Sequence, residues 1–483
     1  MNAAQASLLT RRHFLRNCNS GLGALALSQL AGRASAAGEN VDLSGGPTAP
    51  RASMIAPKAK RVIYLHMAGS PPQQELFDFK PELKKHHMKD CPSELLEGKT
   101  FAFIKGTPKL LGPQYSFKQH GETGAWISET MPHLSTMADE LCFIKSMHTT
   151  QFNHAPAQLL LHTGNQQFGG ASIGAWTSYG LGTPNQDLPS YMVMVSGGKM
   201  PSAGKALWGS GFLPSVYQGV QCRPKGDPIL YVSNPDGMSR ETRRKSLDAL
   251  QKLNRLELDT FQDPETLTRI EQYELSYRMQ TAVPGVMDIS KEDPKTLEAY
   301  GAKPGEASFA NNCLLARRLA EQGTRFIQLF DWGWDIHGTA KIDDLETQFP
   351  KKCLDVDQAI TALLRDLKQR GMLDDTLVIW GGEFGRTPMN EARNGSKLLG
   401  RDHHPDCFTM WMAGGGTKPG TYGESDPWGY TPAKDPVDVH DLQATIMHLV
   451  GMDPHHFSFP FQGLNQRLIG PANHPKVVKG VLA

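Results

Sequence analysis

The chain has 483 residues, 20% of them charged and 39% hydrophobic, with 50 Lys and Arg against 49 Asp and Glu. A formal net charge of +1 leaves no basic excess for a nucleic-acid surface, and the composition is that of a globular protein with one large or two modest domains. No repeat of roughly 20–50 residues is visible, which excludes a solenoid or a propeller.

In chain order, Thr10-Arg11-Arg12-His13-Phe14-Leu15-Arg16 precedes a mildly apolar stretch, Gly21–Leu30, that ends in Ala34-Ser35-Ala36. This pattern reads as a twin-arginine export signal over residues 1–36, followed by a flexible leader at 37–58. The address implied is the periplasm or cell envelope. Beyond the signal, no run of about 18 apolar residues occurs, so the mature chain is expected to carry no integral membrane span. The cysteines left after cleavage, Cys91, Cys142, Cys222, Cys313, Cys353 and Cys407, are scattered and form no CxxC grouping. Free, mostly buried thiols are expected.

Strands are expected at Arg61–His66, Leu141–Lys145, Tyr191–Val195, Pro228–Val232, Arg325–Phe330, Thr376–Trp380 and Phe408–Met412, short and apolar on both faces. Helices are expected at Ser308–Gln322 and Asp344–Arg370, each followed by a glycine, Gly323 or Gly371. The alternation predicts an α/β fold with a mainly parallel central sheet flanked by helices. Arg240–Leu258 and Pro264–Gln280 read as a helical insertion at about 238–285, either packed on the sheet, covering the site, or standing as a solvated hairpin. Segments 100–130 and 197–237 read as long loops around the site entrance.

Polar clusters follow two of the strands, where an open α/β sheet places its ligand crevice. Gly381 and Gly382 free the backbone to turn, so Glu383 is expected at a strand tip, as a metal ligand or as a simple partner of Arg386. Asp335 and His337 are one residue apart and share a side of an extended segment, where they can converge on an ion or where Asp335 can orient His337. Trp332 and Trp334, which alternate with them, are candidates for an apolar wall. In Asp402-His403-His404-Pro405, neighbouring imidazoles face apart; His403 is the inward candidate and His404 the outlying one. Asn153 and His154 precede Pro156 at the start of a helix, a positive terminus suited to an anionic group. Asn153 is equally the expected cap of that helix.

The run His154-Ala155-Pro156-Ala157-Gln158-Leu159-Leu160-Leu161-His162-Thr163-Gly164 resembles the sulfatase signature Cys-x-Pro-Ser-Arg-x-x-Leu-x-Thr-Gly in its Pro, Leu, Thr and Gly. Gly382-Glu383-Phe384-Gly385 resembles the Ser-Asp-His-Gly of the alkaline phosphatase and sulfatase superfamily. Across nearly the whole mature chain, the resemblance is to exported proteins of domain-of-unknown-function family 1501 within that superfamily. It is carried by Leu76-Phe77-Asp78-Phe79-Lys80-Pro81, Asn153-His154-Ala155-Pro156-Ala157, Ser178-Tyr179-Gly180-Leu181-Gly182, Gly211-Phe212-Leu213-Pro214-Ser215, Gly333-Trp334-Asp335-Ile336-His337, Glu383-Phe384-Gly385-Arg386-Thr387-Pro388 and Gly400-Arg401-Asp402-His403.

Departures from the superfamily pattern are equally specific. His154 stands at the formylglycine position and Gln158 at that of the sulfatase arginine, His66-Met67-Ala68-Gly69 replaces Asp-Asp-x-Gly, and Phe384 replaces a metal-binding histidine. The resemblance implies one divalent metal centre, with zinc, calcium or manganese open, held by Asp335, His337 and His403 with Glu383 or His154 nearby. His154 is then a general base or a phosphorylated nucleophile, with Ser70 and Thr150 as alternative nucleophiles. Asn153 sits beside it, and Arg386 or Arg401 steadies developing negative charge.

The function implied is an exported, sulfatase-like, metal-dependent hydrolase of phosphate or sulfate esters that does not use formylglycine, acting on an anionic small molecule or glycan ester. The alternative is a noncatalytic envelope protein binding an anionic glycan or an exported partner. A third reading has the histidines bind metal only to brace loops.

Overall fold

The computed structural model describes residues 46–223, 228–229, 233–261 and 264–483. The expected export signal, the leader as far as residue 45 and residues 230–232 of the expected Pro228–Val232 strand lie outside the described residues. Residues 46–58, expected to be flexible, are hydrogen-bonded to the body, with Arg51 N donating to Leu181 O and Lys58 N to Leu449 O. No helix among the described residues is long and apolar enough to cross a membrane.

A nine-stranded sheet organises the chain. Its strands are β1 (Arg61–Ala68), β2 (Leu141–His148), β3 (Tyr191–Ser196), β4 (Val220–Gln221), β5 (Phe326–Trp332), β6 (Thr376–Gly381), β7 (Phe408–Ala413), β8 (Gly420–Tyr422) and β9 (Val437–Asp438). They lie in the order β8-β2-β7-β6-β1-β5-β3-β4, with β9 also paired to β2. Every pairing is parallel except those of β7 with β2 and β6. The expected strands are found except Pro228–Val232; the parallel ones reach one to three residues further towards the polar tips, whereas antiparallel β7 gains Ala413 at its opposite end, and β5 starts one residue late, at Phe326. In the excepted segment, Ile229 makes only an isolated bridge to Cys222.

Side-chain alternation along β1 feeds two cores: Ile63, Leu65 and Met67 face one, Val62 and Tyr64 the other. The longer helices are α1 (His154–Thr163), α2 (Ile173–Leu181), α3 (Arg240–Phe261), α4 (Pro264–Met287), α5 (Phe309–Glu321), α6 (Gln348–Gln369) and α7 (Val439–Leu449). Residues of α5 and α6 bury against the first face, and those of α1, α2 and α7 against the second. This double cover explains why the strands read as continuous apolar runs. Helix α6 starts later than the expected Asp344, because that carboxylate instead accepts from Thr347 N and Gln348 N. The insertion forms α3 and α4, joined by Arg244 to Glu274, and Met279 and Val283 of α4 enter the first core. All the cysteines among the described residues are free and buried.

Loops expected around the entrance contain structure that periodicity does not show. Phe117–His120 and Ala125–Ser128 pair as a hairpin. Behind the site, Arg401 Nη2 lies 2.5 Å and Nε 3.1 Å from Glu75 Oε1, with both side chains fully buried. The pair ties the turn after β1 to the segment leading into β7. Arg401→Ala leaves Glu75 as an unpaired buried carboxylate, a loss of about 3–5 kcal/mol expected in urea unfolding. A loss below about 1 kcal/mol, the range of exposed pairs, would show that this tie does not anchor the segment.

Candidate metal centre

Register brings the carboxyl ends of the central strands level: Ala68 pairs with Trp332, and His66 with Gly381. Just beyond, Gly69 adopts φ +105°, and a Cβ on it would lie 2.5 Å from Asp335 N. Only glycine permits both that turn and that approach. Because β7 runs antiparallel, the segment entering it reaches the same edge, and His403 and His404 pair there with Arg386 and Gly385.

Asp335 Oδ1 is the hub of the site. It lies 2.6 Å from Arg386 Nη2, 2.8 Å from His337 Nε2, 3.2 Å from His154 Nε2 and 3.3 Å from His403 Nε2. The Nε2 atoms of His337 and His403 are 3.2 Å apart. The ligand atoms of His154, Asp335, His337 and His403 all lie within 4.8 Å of one another.

Each imidazole is gripped from behind. His154 Nδ1 meets Glu383 Oε1 at 2.7 Å, His337 Nδ1 meets Glu391 Oε2, and His403 Nδ1 donates to Phe152 O at 2.8 Å. With every Nδ1–H committed outward, each Nε2 is turned to the hub, the arrangement that metal-binding histidines use. Ligand bonds of about 2.0–2.1 Å in a tetrahedral array separate ligand atoms by about 3.3 Å. Three of the four ligand spacings, 3.2, 3.2 and 3.3 Å, match that value, the Asp335–His337 spacing is shorter at 2.8 Å, and His154 Nε2 is buried with no hydrogen bond aligned on it. The donor set therefore fits a divalent cation.

Protonation follows the crowding. Burial alone would raise the Asp335 carboxyl, but Arg386 and the three imidazoles hold it well below the usual carboxylate range. Burial opposes charge on His154, yet the Asp335 and Glu383 carboxylates on either side of its ring lift it to about 9. His337 is also raised, by Asp335 and Glu391 against burial. His403 drops to about 4, chiefly through burial, with Arg386 and His154 adding repulsion that Asp335 only partly offsets.

Glu383 lies on the far side of His154 from the hub, not among the ligand atoms where it was expected. Its oxygens accept from Gly69 N at 3.1 and 3.3 Å and from Gln158 Nε2 at 2.9 Å, and His66 Nε2 stands 3.2 Å away. Burial favours its neutral form, but His154 and His66 keep its carboxyl well below its ordinary value. Behind it runs a buried chain: His66 Nδ1 to His162 Nε2 at 3.2 Å, His162 Nδ1 to Gln328 Nε2 at 3.0 Å, and Gln328 Oε1 to the Tyr191 hydroxyl. With the tyrosine hydroxyl donating to Oε1, the amide donates to His162, which donates to His66, whose remaining N–H faces Glu383. Burial pushes His162 well below its ordinary value, consistent with a neutral ring in this chain.

Other expected residues fall elsewhere. Arg386 is fully buried and donates to Asp335, Ser70 O, Arg401 O and Gly69 O, so it positions the hub rather than facing a substrate. Arg401 points away, to Glu75. Asn153 is exposed, and its side chain does not cap α1. Ser70 Oγ accepts from Glu383 N and Phe384 N, and Thr150 is exposed beyond the cluster. His404 is buried against Tyr430. Trp334 is fully buried and donates to Asp331, whereas Trp332 lies near the His154 ring. Phe384 packs on the rings of both His154 and His403, at 5.0 and 4.6 Å.

The model of the family described as "Protein of unknown function (DUF1501)" matches residues 59–482. The chain belongs to that family. No curated protein matches it. Among solved structures, it is similar to a sulfatase from Pseudoalteromonas sp., with 13% identity, 86% of this chain and 73% of that one covered, and a TM-score of 0.36. It is also similar to a protein in the alkaline phosphatase superfamily from Vibrio parahaemolyticus, with 12% identity, 95% and 78% covered, and a TM-score of 0.35. A phosphonate monoester hydrolase from Silicibacter pomeroyi shares 11% identity over 82% of this chain and 74% of that one, with a TM-score of 0.32.

Some residues of this DUF1501 site were not singled out from the sequence. His154, Gln158 and His162 recur every fourth residue along one face of α1, a spacing that would have linked His162 to the site as well. Glu391, Phe103 and Arg393 sit on loops with no such signal.

In the metal-free protein, the raised His154 contributes stability that is complete below its unfolded value near 6.5 and is lost as pH climbs through about 9. A bound cation replaces the proton on His337 and opposes the one on His154, so its affinity rises over that window. The zinc-induced rise in thermal midpoint is therefore expected to be larger at pH 8.5 than at pH 6.5. A rise that is flat or shrinks with pH would show that these imidazoles are not the ligands.

Proposed function

We propose that this protein is an exported, metal-dependent hydrolase of phosphate or sulfate esters that works without formylglycine. The observation that carries the reading is the outward commitment of three Nδ1 atoms, which turns three Nε2 atoms onto one carboxylate oxygen. Asp335, His337 and His403 hold the divalent cation, and three protein ligands leave a coordination position open. A cation there supplies Lewis-acid polarisation of a phosphoryl or sulfuryl oxygen. Zinc suits the nitrogen-rich donor set better than calcium, which favours oxygen.

His154 takes a different part. It is the most exposed of the three imidazoles, and its Nε2 faces the hub while Glu383 fixes its ring. Held with a proton at neutral pH by its two carboxylate neighbours, it can donate that proton from Nε2 to the leaving-group oxygen as water forms the new bond to phosphorus or sulfur and the ester bond breaks. Glu383 and Arg386 are positioning residues, one for His154 and the other for Asp335. The twin-arginine motif supports export, and the anionic ester class follows from the cationic surroundings of the hub.

A second reading, a cation-holding envelope protein that binds without turnover, is favoured by the engagement of Ser70 Oγ with two backbone N–H groups. Metal analysis and turnover of aryl phosphates, phosphodiesters and aryl sulfates separate the two. The full chain is expected to hold stoichiometric metal; His403→Ala should lose both metal and turnover, and His154→Ala should keep the metal while turnover falls by roughly 10²–10⁴-fold. Metal lost equally in His154→Ala would make that residue a fourth ligand and the centre a closed, structural one. Stoichiometric metal with no ester turned over would favour the second reading.

A further inference from the structure

Beside the metal centre opens a cleft of about 620 Å³, between residues 102–109 and 390–394. That volume lies within the span of about 300–1,000 Å³ usual for small-ligand sites. Its walls are fixed to each other and to the centre. Leu110 bridges to Met389, Asn390 N donates to Lys109 O at 2.8 Å, and Asp402, next to His403, accepts from Phe103 N at 2.7 Å and Ile104 N at 2.9 Å. Phe103 is the shared partition: its ring meets those of His337 at 5.3 Å and His403 at 5.7 Å, yet it is 38% exposed.

The lining is chemically mixed. Lys105, Lys109 and Arg393 stand against a single carboxylate, Glu391, and Asn390, Asn394 and Thr107 add neutral hydrogen-bonding groups. Glu391 is already committed to His337 and Arg393, and the Arg393 guanidinium lies 3.4 Å from the Phe103 ring centroid. Lys109 pairs with Asp90, but Lys105 is exposed and makes no ion pair among the described residues. The unpaired charge of Lys105 and the amide groups of Asn390 and Asn394 suit a ring that carries hydroxyls and an anionic substituent.

We infer that this cleft is a subsite for an anionic oligosaccharide and takes the sugar adjoining the one whose ester meets the metal centre. The second clause rests on the hydrolase reading; the binding itself does not. Lys105 supplies the charge contact, Asn394 a hydroxyl contact, and the Phe103 partition sets the spacing between the two rings.

Calorimetric titration of the full chain with a heparin-derived tetrasaccharide, at two ionic strengths, tests the subsite. Saturable binding that weakens with salt is expected, with Lys105→Glu and Asn394→Ala each raising Kd by roughly fivefold or more at unchanged metal content. No binding, or equal binding by the native, Lys105→Glu and Asn394→Ala proteins, overturns the subsite. Lys105-dependent binding by a chain that turns over no ester would leave the subsite standing while the hydrolase reading falls.

Discussion

One carboxylate oxygen, Asp335 Oδ1, faces a guanidinium and three imidazole nitrogens at 2.6–3.3 Å. A lone acceptor cannot satisfy that many donors, and the imidazoles cannot all be neutral without lone pairs opposing one another. Two solutions exist. Either protons are held on His154 and His337, the metal-free arrangement, or a cation takes the place of the proton on His337. Everything around the hub is built to keep the donors pointing inward under either solution: Glu383, Glu391 and the Phe152 carbonyl behind the rings, and Arg386 beneath the carboxylate.

The hub depends in turn on the sheet. β1, β5 and β6 end level because their register is parallel and unbroken, and each passes into a glycine or a glycine pair that lets the chain turn within van der Waals contact of its neighbour. Reversing β7 lets residues on a fourth approach, Arg401 to His404, join the same edge. The resulting site draws on segments hundreds of residues apart, so its rigidity comes from buried ties such as Glu75 with Arg401 rather than from any local motif.

Much of this was legible beforehand. Runs such as Thr376–Trp380 announced central strands because both their faces are covered, and Asp335, His337 and His403 announced themselves by lying just past or just before such runs. Strand-tip position marks Glu383 and Arg386, but in the structure Glu383 grips His154 from behind and Arg386 supports Asp335. Strand position shows that a side chain leaves at the tip; it does not show whether the space in front is filled by an ion or by another residue's imidazole. The hairpin at residues 117–128 stayed hidden because its pattern, Phe117–His120, is half exposed and carries no apolar run. The partners on 391–393 stayed hidden because loops encode position through tertiary hydrogen bonds, which leave no period in the sequence.

His66, Glu383 and Phe384 lie at the strand tips behind the hub, and their packing shows how a polar strand tip is stabilised. Phe384 fills space with an apolar ring against His154 and His403, removing a donor rather than leaving one unsatisfied. His66 turns inward to His162, and the line continues to Gln328 and Tyr191, so each successive buried donor has an acceptor. The negative charge of Glu383 is balanced by the proton on His154. That balance links the interior chain to the hub: replacing the Glu383 carboxylate with a neutral group would remove one of the two forces that hold His154 protonated. The His154 imidazole therefore owes its proton affinity as much to a carboxylate buried behind it as to Asp335 in front.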